Sequence, residues 1–141
     1  MTIPFHREGI SLPVCQSLLT LISQEVARTE FDLERCTQLT FNFRNPGYSA
    51  EQGGVHPVEI RLVRGLDDWL FDYVTDFSYQ GLGQDAELCK ELDFNFLDGE
   101  HSMLGWGPLR LAEAKELFEV WQRNFIAYCR LKCFSVTVSG D

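Results

Sequence analysis

From Trp69 to Tyr79 the chain alternates with period two: Trp69, Phe71, Tyr73, Thr75, Phe77 and Tyr79 stand against Leu70, Asp72, Val74, Asp76 and Ser78. Successive side chains of a strand point to opposite faces, so this run predicts a long strand with one aromatic face. Shorter runs of the same period flank it. Leu39, Phe41 and Phe43 alternate with Gln38, Thr40, Asn42 and Arg44 up to Pro46, and Val58, Ile60 and Leu62 alternate with Glu59 and Arg61. Across 87–97, Leu92, Phe94 and Phe96 alternate with Glu91, Asp93 and Asn95. Leu97-Asp98-Gly99-Glu100 reads as a hairpin turn into a short fifth strand through Met103 and Trp106. A last strand is predicted where Phe134, Val136 and Val138 alternate with Cys133, Ser135 and Thr137.

Two segments instead follow the 3.6-residue period of a helix. Cys15, Leu18, Leu19, Ile22 and Val26 form a stripe in a first helix over 12–29, with Ser11 ahead of it. After Gly107-Pro108, a stripe of Leu111, Ala114, Leu117, Phe118, Trp121, Phe125 and Tyr128 predicts a second helix over 109–128. The order helix, meander, helix, strand predicts an α+β fold: an antiparallel meander sheet of about five to seven strands flanked by N-terminal and C-terminal helices. Residues 1–141 are expected to form a single domain, with 1–10 a loose N-terminal arm. An antiparallel sheet usually has one packed and one wet face. Here the aromatic surplus predicts that the second face is also covered, in a homo-oligomer, dimer or trimer.

Composition supports a packed core, because 45% of the 141 residues are hydrophobic and eleven are Phe. Twelve Lys and Arg against 21 Asp and Glu leave a net charge of −9. That excess argues against nucleic acid, whose binding rests on clustered cations. Five Cys without CxxC spacing argue against a disulfide framework or a zinc ribbon and for a reducing compartment. Residues 1–10 lack an apolar signal-peptide core, and no run approaches the length of a membrane span. The protein is therefore expected in the cytoplasm, away from membranes.

Candidate chemistry concentrates in NFRNPGYSAEQGGVHPVEIRL, residues 42–62. Asn45-Pro46-Gly47-Tyr48 fits a type II turn with Gly47 at positive φ, and Gly53-Gly54 allows a second reversal before His56-Pro57. Ser49, His56 and Glu51 or Glu59 have the residue types of a nucleophile, base and orienting acid. Ser49 sits in no nucleophile-elbow pattern and no oxyanion donor is evident, so no catalytic residue is assigned. The ligand-binding candidates are Tyr48, Ser49, Glu51, His56, Glu59 and Asp76.

Asp72 and Asp76 are expected on one face of the third strand, with Glu91 and Asp93 on its neighbour. Converging carboxylates suit a hard cation, but a solvated acidic face is the simpler expectation. DFNFLDG, residues 93–99, departs from calcium-loop spacing. Cys129 and Cys133, four apart, lack a partnering His for zinc and are expected as small core hydrophobes. No metal and no cofactor is expected.

The runs FNFRNPGYSAEQGGVHPVEIRL, YVTDFSYQG, AELCKELDFNF and QRNFIAYCRLKCFSVTVS resemble a family of small γ-proteobacterial proteins of unknown function, often found on genomic islands. The likeness covers about residues 12–139. Its YSAE-x-GG-x-HPVEI motif is matched by Tyr48, Ser49, Ala50, Glu51, Gly53, Gly54, His56, Pro57, Val58, Glu59 and Ile60. Asn45 and Asn95 stand where the family pattern has acids, which removes charge from the sites a metal would use. The resemblance implies a fold similar to the mitochondrial acidic matrix proteins, which are oligomeric binding proteins. A shared fold does not transfer a function. The leading expectation is a non-enzymatic acidic interaction module with a protein partner. The alternative is a small ligand-binding protein or enzyme with its site at the 45–59 loop and the acidic sheet face.

Overall fold

The computed structural model describes residues 3–6, 10, 12–29 and 32–141. Seven antiparallel strands form one sheet: β1 (Gln38–Arg44), β2 (Val58–Arg64), β3 (Trp69–Gln80), β4 (Glu87–Asn95), β5 (Glu100–Met103), β6 (Leu109–Arg110) and β7 (Ser135–Gly140). Their order is β6-β5-β4-β3-β2-β1-β7, an unbroken meander except that β7 returns to pair with β1. Helices α1 (Gln16–Ala27) and α2 (Lys115–Arg130) supply the flanking elements of the predicted α+β fold. Among the described residues no helix is long and apolar enough to cross a membrane.

Several boundaries differ from the periodicity reading, each for a local reason. Ser11, placed ahead of the first helix, lies outside the described residues. That helix begins at Gln16 rather than 12, because Leu12 to Val14 turn tightly through the bond from the Val14 N–H to the Leu12 carbonyl. Its first turn is tied instead by Gln122 of α2, whose Oε1 accepts the Cys15 N–H at 3.0 Å while its Nε2 donates to the Pro13 carbonyl at 3.1 Å. A distant side chain thus satisfies a helix-end donor that a local cap would normally take. Leu109 and Arg110, expected in the second helix, pair with His101 and Glu100, and a 3₁₀ turn at Leu111–Ala114 precedes α2. Trp106 lies past the end of β5, in a turn. Residues 3–6 are not a loose arm: Phe5 bridges to Trp69 in parallel, Ile3 is buried, and Phe5 stacks on Phe71 at 5.8 Å.

The long third strand is where the alternation breaks. Arg61 pairs with Tyr73 but Leu62 pairs with Phe71, so Asp72 is an extra residue opposite β2. Such a bulge exchanges the two faces of the strand beyond it. Trp69 and Phe71 therefore share the packed face with Val74 and Asp76, which pair with the buried Ile60 and Val58. Tyr73 and Thr75 turn to the other face, opposite Arg61 and Glu59. The expected single aromatic face from Trp69 to Tyr79 does not exist. Asp72 and Asp76 likewise lie on opposite faces, so the predicted acidic pair is not formed.

The packed face meets α1 and α2. Leu18, Leu19, Ile22 and Val26 of α1 are buried, as are Phe118, Trp121, Phe125 and Ile126 of α2, against Leu39, Phe41, Phe43, Ile60, Leu62 and Phe94. Phe94 sits at the centre of an aromatic cluster, edge-on to Phe118 at 5.1 Å and stacked on His101 at 4.7 Å. Helix α2 ends in a Schellman motif, the Cys133 N–H reaching the Tyr128 carbonyl and the Lys132 N–H the Cys129 carbonyl, with Lys132 at φ 58°. That reversal removes Cys133 from the helix and carries the chain through Phe134, packed on Phe43 and Phe125, into β7. Burial pushes the Cys129 thiol up to about 12, as expected of a cysteine that serves as a small hydrophobe. All five cysteines are free thiols.

Truncating the centre of the aromatic cluster leaves a cavity in a close-packed interior. Phe94→Ala is expected to lower unfolding free energy by about 3–5 kcal/mol in urea titration. Leu66→Ala, at a fully exposed position, is expected to change it by less than about 0.5 kcal/mol.

Candidate functional site

The segment between β1 and β2 is folded by its own polar groups before it reaches the site. Asn45 Oδ1 accepts the Gly47 N–H at 2.7 Å, and the Tyr48 N–H reaches the Asn45 carbonyl at 3.1 Å. Gly47 is not among the positive-φ glycines, so the expected type II turn is not formed; the Asn45 side chain holds the turn instead. Ser49 pairs with Gly53, and its Oγ accepts the Gln52 N–H at 3.1 Å. Gly53 and Gly54 adopt φ 66° and 126°, which L side chains rarely reach, and turn the chain back towards His56.

His56 then meets a carboxylate from the sheet. Its Nδ1 lies 2.7 Å from Asp76 Oδ1, and the other oxygen, Oδ2, accepts the Trp121 Nε1–H at 2.9 Å. Three elements converge on one carboxylate: the loop before β2, strand β3 and helix α2. Asp76 is there only because the Asp72 bulge turns it inward. Burial raises its pKa above the ordinary carboxylate value; the hydrogen bonds from Trp121 and His56 and the nearby imidazole pull it down in part, and Glu91 pushes it up. A proton on His56 Nδ1 lets both oxygens accept, and the Asp76 carboxylate favours that tautomer. Its Nε2 then carries a lone pair and has no hydrogen-bond partner among the described residues.

A cavity of about 220 Å³ adjoins this pair, lined by Gly54, Val55, His56, Val58, Asp76, Trp121, Asn124, Phe125, Tyr128 and Phe134. Trp121, Asn124, Phe125 and Tyr128 fall at i, i+3, i+4 and i+7, so one helical face forms a whole wall. Trp121 and Phe125 stack at 5.0 Å and 10°. Concave, mainly apolar sites with a few convergent polar groups are the usual form of small-molecule pockets.

The sequence candidates separate into three groups. His56 and Asp76 line the cavity, and Tyr48 supports them, edge-on to His56 at 5.5 Å and stacked on Tyr79 at 5.3 Å. Its hydroxyl accepts the Tyr79 N–H at 3.0 Å. Ser49 and Glu51 belong to the loop tip, outside the cavity wall; Ser49 is engaged by Gln52 rather than by His56. Glu59 is on the opposite sheet face, where its carboxylate accepts the Tyr73 hydroxyl. There Asp72 pairs with Arg61 at 3.2 Å, and Thr75 donates to Asp93 at 2.6 Å. That face carries a ladder of polar pairs around the Tyr73 ring. Among the described residues no group of three or more His, Cys, Asp or Glu is placed to hold a metal.

Sequence reasoning missed the aromatic wall, since the Trp121 and Phe125 spacing reads equally as core. Asn124, a polar residue one step from that stripe, was the available signal.

Comparison with known proteins follows this geometry. The family described as "Protein of unknown function (DUF2787)" matches residues 16–139. A hypothetical protein from the VSP-II pathogenicity island of Vibrio cholerae superposes with a TM-score of 0.89 at 32% identity, covering 99% of each chain. A conserved hypothetical protein from pathogenicity island VPI-2 of Vibrio cholerae O1 biovar eltor superposes with a TM-score of 0.80 at 31% identity, covering 94% of this chain and 98% of the other. The latter is described as sharing structural homology with the human P32 protein. No curated protein matches the chain.

A raised carboxylate has a defined signature. Between the unfolded and the folded pKa, the folded state keeps a proton on Asp76 that the unfolded chain has already released. Its stabilisation is therefore present below the unfolded pKa and lost as pH rises through the folded one. The groups facing it are His56 and Glu91, with the Trp121 N–H. In urea titrations upward from about pH 4, wild-type protein is expected to lose stability relative to Asp76→Asn. A parallel pair of profiles would contradict the assignment.

Proposed function

Because the chain belongs to the DUF2787 family of proteins of unknown function, whose similar solved structures are described only as hypothetical proteins, we propose from the site itself that it is a small-ligand-binding protein. Its binding site is the cavity between α2 and the His56 loop. The reading rests on one observation: His56 is held at 2.7 Å on a carboxylate that Trp121 also grips, beside a cavity with aromatic walls. Burying a carboxylate costs free energy unless it is hydrogen-bonded, and here two donors are spent on it. The arrangement fixes the tautomer of a histidine whose remaining nitrogen is unengaged. Binding without turnover is the favoured form, since no hydroxyl or thiol among the described residues is hydrogen-bonded to His56 to act as a nucleophile.

Asn124→Trp tests this reading, because position 124 is exposed yet lines the cavity, and a large side chain there blocks the space without entering the core. In ligand-observed NMR with a panel of single-ring compounds, a subset is expected to bind wild-type protein and to be lost in the variant. No binding to wild-type protein at millimolar concentrations would overturn the proposal.

A second reading, the interaction module that self-associates, is favoured by a different observation. Trp106 is 74% exposed in the β5–β6 turn, with Leu104 and Leu109 also exposed beside it in sequence. Exposed apolar groups of this size are commonly covered by a partner. Sedimentation equilibrium is expected to give a dimer or trimer that Trp106→Ser shifts towards monomer. A wild-type monomer at micromolar concentration would remove this reading.

A further inference from the structure

The cavity also carries information about the class of molecule it takes; this step rests on the ligand-binding reading above. We propose that its ligand is an uncharged, planar one-ring molecule presenting an N–H or O–H donor to His56 Nε2. Size sets the first limit. A cavity of about 150 Å³ accommodates benzene, so about 220 Å³ holds one substituted ring within its walls.

Wall chemistry sets the second. Trp121, Phe125, Tyr128 and Phe134 bring four aromatic side chains to the wall, and aromatic rings pair at centroid separations of about 4.5–7 Å. Charge sets the third. Asp76 is the one carboxylic acid among the lining residues, and the chain carries −9 overall. A carboxylate or phosphate ligand would add a like charge beside it, and no Lys or Arg lines the cavity to offset that.

Hydrogen-bond polarity sets the fourth limit. With its proton on Nδ1, facing Asp76 Oδ1 at 2.7 Å, His56 presents an acceptor at Nε2. A ring that lacks a donor covers this acceptor without replacing its hydrogen bond to water, which opposes its binding. The ligand donor and this acceptor therefore discriminate between otherwise similar rings.

Three one-ring probes separate these terms: phenol and its near-isostere toluene, and the anion benzoate, each titrated against full-length protein by NMR chemical-shift perturbation. Phenol is expected to bind about tenfold more tightly than toluene, and benzoate to bind weakest. His56→Asn keeps a side-chain N–H for Asp76 while deleting the Nε2 acceptor, and is expected to reduce phenol affinity to the toluene level with toluene unchanged. His56→Phe provides a second variant should the first fail to fold, with the same expected loss. Equal binding of phenol and toluene, or tighter binding of benzoate, would overturn the ligand class while leaving the cavity as a binding site. Binding of none of the three, together with failure of the wider panel, would remove both.

Discussion

The single extra residue at Asp72 is the constraint on which the rest of the molecule depends. Without it, the strict alternation of β3 would turn Val74 and Asp76 to the outer face and bring Tyr73 and Thr75 under the helices. Because one inserted residue exchanges every later side chain between faces, the bulge decides at once which residues fill the core and which acid is buried. Arg61, half-exposed and 3.2 Å from Asp72, gives the bulged residue a partner of opposite charge. Asp72 is itself pushed above the ordinary carboxylate value by burial, with Arg61 opposing.

Helix α2 serves two structures with one stripe of side chains. Phe118, Trp121 and Phe125 pack on Phe94 and Phe43, while Trp121, Asn124, Phe125 and Tyr128 wall the cavity. Gln122, between them and buried, ties α2 to the start of α1 through both polar atoms of its side-chain amide. The helix is thus fixed by a hydrogen-bonded amide on one side and by aromatic packing on the other. A site built on such an element holds its polar groups more narrowly than one built on a loop. Trp121 joins the two roles, since its ring is core and its N–H is part of the site.

The two Vibrio cholerae pathogenicity-island proteins share this fold over nearly their whole length at 31–32% identity. That likeness accounts for the helix–meander–helix arrangement and for the P32 comparison attached to one of them. It supplies no activity, because a fold positions elements while chemistry depends on which side chains occupy them. The functional reading therefore stands on His56, Asp76 and Trp121 and on the cavity they border.

Periodicity alone determined the α+β class, the meander of strands from Leu39 to Phe94, the closing strand at Val136 and Val138, and the inward stripe of α2, because burial of one face imposes a period that survives in the sequence. Residue types in the 45–59 loop and on the acidic strand, not periodicity, marked Tyr48, Ser49, Glu51, His56, Glu59 and Asp76 as candidates. The tertiary structure decided everything that depends on register and on distant partners. A bulge leaves no mark in an alternating run, so the faces of Tyr73 and Asp76 were misread and Glu59 was grouped with a site on the other side of the sheet. The helix start at Gln16 depends on Gln122, more than a hundred residues away, and the grip of Trp121 on Asp76 spans 45 positions. Local patterns encode which groups seek burial; only the folded chain settles which of them meet, because contacts of that separation are set by the relative placement of whole elements.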